Sequence, residues 1–355
     1  MLSASPCYTR EVPNNKMGKY IILRLLQTVL VLFFLSLLIF FIARVMPGDP
    51  ARVALGPLAT KEQVQELREE MHLDKPFFVQ YYFWFISVLH GDLGKSLSTR
   101  RPVTTDIKMY MPATLELMIF SFLISLIIGQ VIGVFAGYFR NSWFDNLFRV
   151  FSYIGVAMPA FAVAIFSLII FSYVLNFAPA VGRLDMGLES PPQISGLLIL
   201  DSLLAGQFNT AFNAFKHVLL PATSLAVANI AQEGRITRSS IIDNSQKDYI
   251  TAHIVYGIPK RLIIFKYLLK PSFIPTVSIM GLDFACQIAN AFLVETVFMW
   301  PGFSRYAVTA MLNKDLNAIT AVVLIIGVAY SLMNVIVDII VSFLDPRIRL
   351  QRGGI

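Results

Sequence analysis

YIILRLLQTVLVLFFLSLLIFFIARV, residues 20–45, runs from Tyr20 to Val45 with two basic residues and no acid. At 1.5 Å per residue, a helix of this length crosses a hydrocarbon core about 30 Å thick. Five further stretches share its character: Ala113–Gly137, Leu147–Phe177, His217–Arg238, Phe273–Trp300 and Leu316–Leu344. The expected fold is an all-α membrane protein with six transmembrane helices. Composition agrees, because the 355 residues are 56% hydrophobic and only 14% charged, whereas a soluble domain carries about 25% charged residues. The first and last spans are the cleanest. The fourth carries Thr223, Ser224, Asn229 and Gln232, a polar stripe that predicts burial among other helices.

Charge sets the orientation. With the amino terminus inside, sixteen of the twenty-nine Lys and Arg fall on the cytoplasmic side and four in the two short outer loops. The other nine lie in or beside the long first outer region, where acids offset them and the rule weighs them less. Both termini are therefore expected in the cytoplasm. The chain divides into a cytoplasmic tail (1–16), a first transmembrane helix (17–45), an outer region (46–112) and a transmembrane core (113–344). That core includes an outer loop, 178–216, and a cytoplasmic loop, 239–272. A cytoplasmic tail (345–355) follows. Met17 is a candidate start, since residues 1–16 are polar and do not resemble a signal peptide. The outer region is expected to fold, with Thr60 and Gln63 forming a capping box ahead of a charged helix. Residues 197–219, LLILDSLLAGQFNTAFNAFKHVL, are expected to lie along the membrane interface.

Several chemistries are excluded. Gly91-Asp92-Leu93-Gly94-Lys95-Ser96 lacks the four-residue spacing of a phosphate loop, because Leu89 stands where the first Gly is needed. The four histidines, His72, His90, His217 and His253, do not meet at mid-span, so a haem or metal carrier is not expected. Cys7 and Cys286 have no metal-ligand spacing. No catalytic constellation is evident. The excess of basic residues sits in loops, which argues for a membrane partner and against nucleic acid.

Two kinds of site remain. Ionisable or helix-breaking residues inside spans are candidates for a polar pathway: Asp283 in the fifth span, Pro159 in the third and Glu295 near the end of the fifth. Pairing with a neighbouring helix is the plainer role for Glu295 and Asp338. Gly129, Gly133 and Gly137 read as close helix packing. The second site is the segment from Arg235 to Pro275. Its first 36 residues, to Lys270, hold seven basic residues against two acids. A helix starting at Asp248-Tyr249-Ile250 runs through Ala252 and His253 to Gly257-Ile258-Pro259, and a second helical stretch follows. Gly257 permits a positive φ or a close approach. This layout suits a knob that fits another protein's cleft.

At these residues the chain resembles the first permease subunit of dipeptide/oligopeptide/nickel-type, binding-protein-dependent ABC importers. The likeness is carried by Met46-Pro47-Gly48-Asp49-Pro50, Leu73-Asp74-Lys75-Pro76, Gly91-Asp92-Leu93-Gly94 and Leu220-Pro221-Ala222. Further on it is carried by Thr237-Arg238-Ser239-Ser240, Asp248-Tyr249-Ile250, Glu295 with Trp300-Pro301-Gly302, and Asp345-Pro346-Arg347-Ile348-Arg349. Each motif is short; their order along the six spans is specific. The resemblance implies a type I importer permease fold in a bacterial inner membrane. It implies a non-catalytic subunit that holds no cofactor and pairs with a second, homologous permease. Two cytoplasmic ATPases would bind ATP and Mg, and an external binding protein would deliver the substrate. Small peptides are the expected cargo, with nickel, glutathione or opines as alternatives. An ion-driven carrier is the rival of another class. The 248–259 segment would be the ATPase-coupling loop. The chain departs from the family at His253, Ile254 and Tyr256, where a small residue and two basic ones are usual. It departs again at Lys270-Pro271, and at Asp283, where Gln is frequent.

Overall fold

A computed structural model describes residues 15–45, 50–55, 59–70 and 73–344. Met46–Asp49, His72, Cys7 and the Asp345–Arg349 motif lie outside the described residues. The described chain is almost wholly helical: α1 (Asn15–Val45), α2 (Pro50–Leu55), α3 (Lys61–Glu70), α4 (Phe77–Leu89), α5 (Val103–Tyr138), α6 (Trp143–Ala157) and α7 (Ala160–Ser167) come first. Then follow α8 (Leu198–Leu204), α9 (Phe208–Ser245), α10 (Asp248–Val255), α11 (Lys260–Leu262), α12 (Leu269–Val297), α13 (Phe303–Leu312) and α14 (Leu316–Leu344). Wider π turns prolong α7 through Leu168–Val174 and join α11 to α12 through Ile263–Leu268.

Among the described residues, five helices are long and apolar enough to cross a membrane: Ile22–Arg44, Val103–Tyr138, Phe208–Ser245, Lys260–Val297 and Leu316–Ile340. The sixth is broken. The stretch expected as one span over Leu147–Phe177 starts at Trp143 and bends by 108° between α6 and α7. Pro159 lies at that break with φ −62° and ψ 141°. Proline disfavours the helical conformation for the residue before it, and Met158 is extended, with ψ 126°, whereas Pro112, Pro221 and Pro275 sit inside unbroken helices.

The fourth span also differs from expectation. Its helix covers 38 residues, about 57 Å at 1.5 Å per residue, and so overshoots a 30 Å core at both ends. Hydropathy marks only the part of a helix that sits in lipid; its backbone hydrogen bonds continue through polar residues. Residues 208–219 therefore belong to this span. Only α8 remains of the expected interfacial helix, closed by Gly206 at φ +72°.

Helix α9 is the axis of the fold. Its neighbour α5 approaches along the glycine stripe: a Cβ on Gly133 would stand 2.6 Å from the Gly234 carbonyl oxygen, and one on Gly137 would stand 2.8 Å from Ile241 Cβ. Packing so close replaces the hydrophobic drive that lipid does not supply. One buried cluster joins α5, α7, α9 and α12 around Leu117, Val218, Leu225, Val294 and Trp300. A second lies where α5 and α9 meet α10, with Val134, Ile241, Ile250, Ile263 and Leu268. Helix α1 stands apart and rests on α14, joined by Arg24 Nη2 to Asp338 Oδ2 at 2.9 Å.

Candidate functional site: the α10 knob and the polar node of the bundle

Residues Asp248 to Pro259 form one compact element. Lys247 is extended and precedes the first turn. Asp248 brings an acid to the amino-terminal end of the helix, where its dipole favours negative charge. Gly257 ends the helix at φ +72°. Its N–H donates to Ile254 O at 3.0 Å and that of Ile258 to His253 O at 3.0 Å, the paired bonds of a Schellman cap. A Cβ on Gly257 would meet nothing within 4 Å. Glycine is therefore required by backbone angle, not by space. Pro259 then stops any continuation and opens α11.

This helix has two unlike faces. Ile250 is buried at 3% exposure in the cluster with Ile241 and Ile263, and Ile258 packs against the same cluster. The imidazole of His253 lies 4.0 Å, centroid to centroid, from the Tyr267 ring. Tyr249 reaches His253 edge-on at 6.2 Å. Ala252 is exposed. At the tip, Ile254 is 61% exposed, Val255 80% and Tyr256 83%. Three adjacent apolar side chains held in solvent by a buried anchor form a surface without a partner in the isolated chain.

The pathway candidates are not neighbours. Asp283 and Glu295 are twelve residues apart on α12, about 18 Å along its axis, and Pro159 sits at the α6–α7 break. Glu295 is wholly buried. Thr114 Oγ1 donates to its carboxylate, as does the Arg305 N–H at 2.9 Å. A Cβ on Gly302 would collide with that carboxylate at 2.4 Å. Trp300 Nε1 donates to Ala113 O at 2.9 Å. Glu295 thus fastens the Trp300-Pro301-Gly302 turn to α5 and to the start of α13.

Asp283 keeps different company. It accepts from Gln232 Nε2 at 3.2 Å. Beside Gln232 stands Glu233, fully buried and within electrostatic reach of Asp283. Ser125 Oγ donates to Glu233 Oε1 at 3.3 Å. One turn along α5, Ser121 Oγ accepts from Gln287 Nε2 at 3.4 Å. Three helices therefore meet in a polar node at one depth. Glu233 Oε2, Asp283 Oδ2 and Gln287 Oε1 have no hydrogen-bond partner in it. Asp283 is not the nearly solitary acid that the fifth span suggests when considered alone. Glu233 was legible as an extension of the Asn229–Gln232 stripe, but its pairing across 50 residues was not.

Residues with no pairing legible in the sequence also tie the helices together. Arg238 grips Asp145 at the start of α6, with Nη2 to Oδ2 at 2.8 Å. On the other end of the bundle, Glu116 pairs with Arg183 and accepts from the Ile199 N–H at 2.8 Å. His217 Nε2 lies 3.1 Å from Asp185 Oδ1, and Asn213 Nδ2 donates to Asp185 Oδ2 at 2.5 Å. Those two contacts, Asn213 first, hold the Asp185 carboxyl below the ordinary aspartate range. Among the described residues no group of three or more His, Cys, Asp or Glu could hold a metal ion.

Comparison with known proteins places this geometry. Residues 129–350 match the family described as "Binding-protein-dependent transport system inner membrane component", and residues 17–118 match its N-terminal companion. The chain is 36% identical, over 92% of its length and 95% of the relative's, to the probable D,D-dipeptide transport system permease protein DdpB of Escherichia coli strain K12. It is 34% identical to the dipeptide transport system permease protein DppB of Alkalihalophilus pseudofirmus, over 93% and 99%. Identity to the glutathione transport system permease protein GsiC of Shigella flexneri serotype 5b is 31%, over 94% and 100%. The chain thus belongs to the binding-protein-dependent ABC importer permeases, as a multi-pass inner-membrane subunit.

Proposed function

We propose that this permease forms half of a translocation path for small peptides and is driven through α10 by a partner ATPase. The observation that carries the proposal is the knob itself: Ile254, Val255 and Tyr256 exposed beyond a buried Ile250 anchor. A surface of that kind fits an apolar cleft on another protein, and this chain has no nucleotide-binding loop of its own. The remaining partners are a second permease subunit, two cytoplasmic ATPases that hold ATP and Mg, and an external binding protein. The dipeptide and glutathione permeases among its relatives support a peptide cargo. ATP acts as a ligand with different affinity for two states of the assembly; closure of the ATPases moves α10, and the Ile241–Ile263 cluster passes that motion to α5, α9 and α12.

In this reading Asp283, with Gln232 and Glu233 behind it, gives the path its polar wall. The break at Pro159 supplies the bend on which α6 and α7 rearrange. Glu295 serves the path from behind, by fixing the turn that begins α13. The Glu233–Asp283 pair is a feature an ion-driven carrier would also want, and family membership decides between the two.

The test is Gly257→Val in the complete transporter, reconstituted in vesicles with its ATPases and binding protein. A β-branched residue at positive φ strains the Schellman cap. ATP hydrolysis should persist while peptide uptake falls, with the subunit still inserted. Uptake at the parental rate would overturn the coupling role.

A further inference from the structure

At the end of the bundle opposite α10, the chain between α4 and α5 folds back as a short hairpin. Lys95 faces Pro102 in an isolated antiparallel bridge. The Ser96 N–H donates to Arg101 O at 2.9 Å, and that of Val103 to Gly94 O at 2.9 Å. This hairpin is pinned to the turn between α13 and α14. Asp315, wholly buried, accepts from Ser96 Oγ at 2.6 Å and from the Leu97 N–H at 2.7 Å. Asn313 Nδ2 donates to Ser98 Oγ at 3.1 Å, and Asn317 Nδ2 to Lys95 O at 2.9 Å. A buried carboxylate that gathers such donors is expensive to strip of them. Two segments far apart in the chain thus become one rigid surface.

Charge on that surface is sorted by depth. The acids lie inside: Asp315, and Asp106, equally buried, which takes Thr99 Oγ1 and, at 2.8 Å, Arg101 Nη2. The cations lie outside, since Lys95, Arg100, Arg101 and Lys314 are all exposed. Asp92, the exposed acid just ahead of the hairpin, already accepts from the Gly94 N–H at 2.9 Å. Among the described residues no ion pair or side-chain hydrogen bond engages Lys95, Arg100 or Lys314. The backbone adds an independent sign. Arg100 has φ +58° and Lys314 φ +54°. Lys314 follows the C-cap of α13, a position that glycine usually fills, because a Cβ is strained there. Residues held in such conformations cluster where side chains are used. Each of the two turns therefore keeps a long cation where a smaller residue would be easier to hold, and the Asn313–Ser98 bond brings the turns together.

We propose that the 95–101 hairpin and the 313–315 turn form a cationic platform that docks an acidic surface of the external binding protein. The platform rests on the importer reading above and on the orientation that the basic residues indicate, which puts this end outside. Rigidity favours a protein over anionic lipid headgroups. Headgroups diffuse, and they adapt to mobile lysines. Cations held at strained backbone positions, on a surface locked by Asp315, match a partner whose own charges are fixed. Charge complementarity of this kind steers encounter and sets register more than it adds affinity. That suits a partner which must dock, deliver and leave in every cycle.

The test replaces Arg100 and Lys314 together by glycine in the complete transporter. The transporter is reconstituted in vesicles of phosphatidylcholine alone and supplied with the purified, peptide-loaded binding protein of the same system. Glycine removes both charges and relieves both backbones, so Tm should hold or rise. The binding-protein concentration that gives half-maximal uptake should rise about tenfold at low salt. Its dependence on salt, between about 0.05 and 0.3 M, should flatten because fewer charges remain to be screened. Lys216→Ala is the control. It removes an exposed cation that lies 4.6 Å from the Phe212 ring at the same end, and should leave the half-maximal concentration near the parental one. An unchanged value for the double glycine variant overturns the platform. So does an equal rise with Lys216→Ala, which would make the effect one of overall charge. A rise that appears only after phosphatidylglycerol is added to the vesicles also overturns it, by making headgroups the occupant. Parental uptake that needs no binding protein would instead remove the importer reading, and the platform with it.

Discussion

At the end of the bundle that carries the basic segment, α10 is seated by Ile250 and by the His253–Tyr267 ring contact. At the opposite end, four buried carboxylates each gather several donors. Asp201 accepts the N–H groups of Ile194, Ser195 and Gly196 at 3.1, 2.9 and 2.9 Å. Asp315 accepts those of Leu97, Ser98 and Ala318 at 2.7, 3.1 and 3.1 Å. Glu116 and Glu295 do the same for Ile199 and Arg305. At the basic end side-chain pairs also join the long helices, Arg238 to Asp145, Arg24 to Asp338 and Asn244 to Ser272 at 3.0 Å, but α10 itself is held by apolar and ring contact. The difference is one of direction. Hydrogen bonds to a buried carboxylate specify one arrangement and are expensive to leave unmade. Apolar contact is non-directional and lets a packed helix shift when a partner presses on it. The locked end suits a mouth that receives cargo; the compliant end suits a lever.

The contrast breaks most sharply at Glu295. Glu295→Ala removes the acceptor for Thr114 and Arg305, and should cost about 3 kcal/mol, the scale for stranding buried donors beside a lost charge. In a detergent-solubilised thermal unfolding experiment Tm should fall steeply and little inserted protein should survive. Glu295→Gln, which keeps an acceptor, should recover part of that loss. A Tm for the alanine variant equal to the parent's would remove Glu295 from the locking set.

Ile250→Ala sharpens the other half. Deleting a buried isoleucine typically costs about 2–4 kcal/mol where the site cannot collapse. Here the site lies at the edge of the bundle, so the loss should be local. Hydrogen exchange of residues 248–258 should accelerate while α5 and α9 stay protected, and uptake should fall with Tm almost unchanged. A global drop in Tm matching that of Glu295→Ala would erase the distinction between the ends.

The smallest effect concerns Asp185. Its folded carboxyl titrates below the ordinary value, first through Asn213 and then through His217. A depressed carboxyl contributes stability above the unfolded pKa of about 3.9 and loses it as pH falls through the lower folded value. Asp185→Ala should therefore lower Tm slightly at neutral pH, with the gap closing as the solution is acidified below pH 4. A gap independent of pH would assign the contact a purely steric role. Asp185 is largely exposed, so solvent keeps the effect modest.

Much of this could be read in the chain beforehand. Apolar runs located the spans, and the 129–133–137 glycine stripe announced close helix packing, though not that α9 is the partner. The order Asp248, Gly257, Pro259 described a capped helix, because capping chemistry is local. The length of α9 was misjudged because lipid exposure and helix length are separate properties. The 108° bend was unreadable because a proline by itself does not say whether a helix breaks: Pro112, Pro221 and Pro275 lie inside continuous helices, and Pro159 does not. Glu233 escaped notice because its importance lies in facing Asp283, which is a fact about two helices.

By itself, then, the sequence determined which segments enter the membrane, where the positive charge gathers and which turn ends α10. These depend on neighbouring residues, through a 3.6-residue period, net charge and backbone angle. Only the tertiary structure decided which acids are satisfied and which stand open. Those properties rest on contacts such as Ser96 to Asp315, made across 219 residues of chain, where burial and donor geometry are set by helix packing and not by any local pattern.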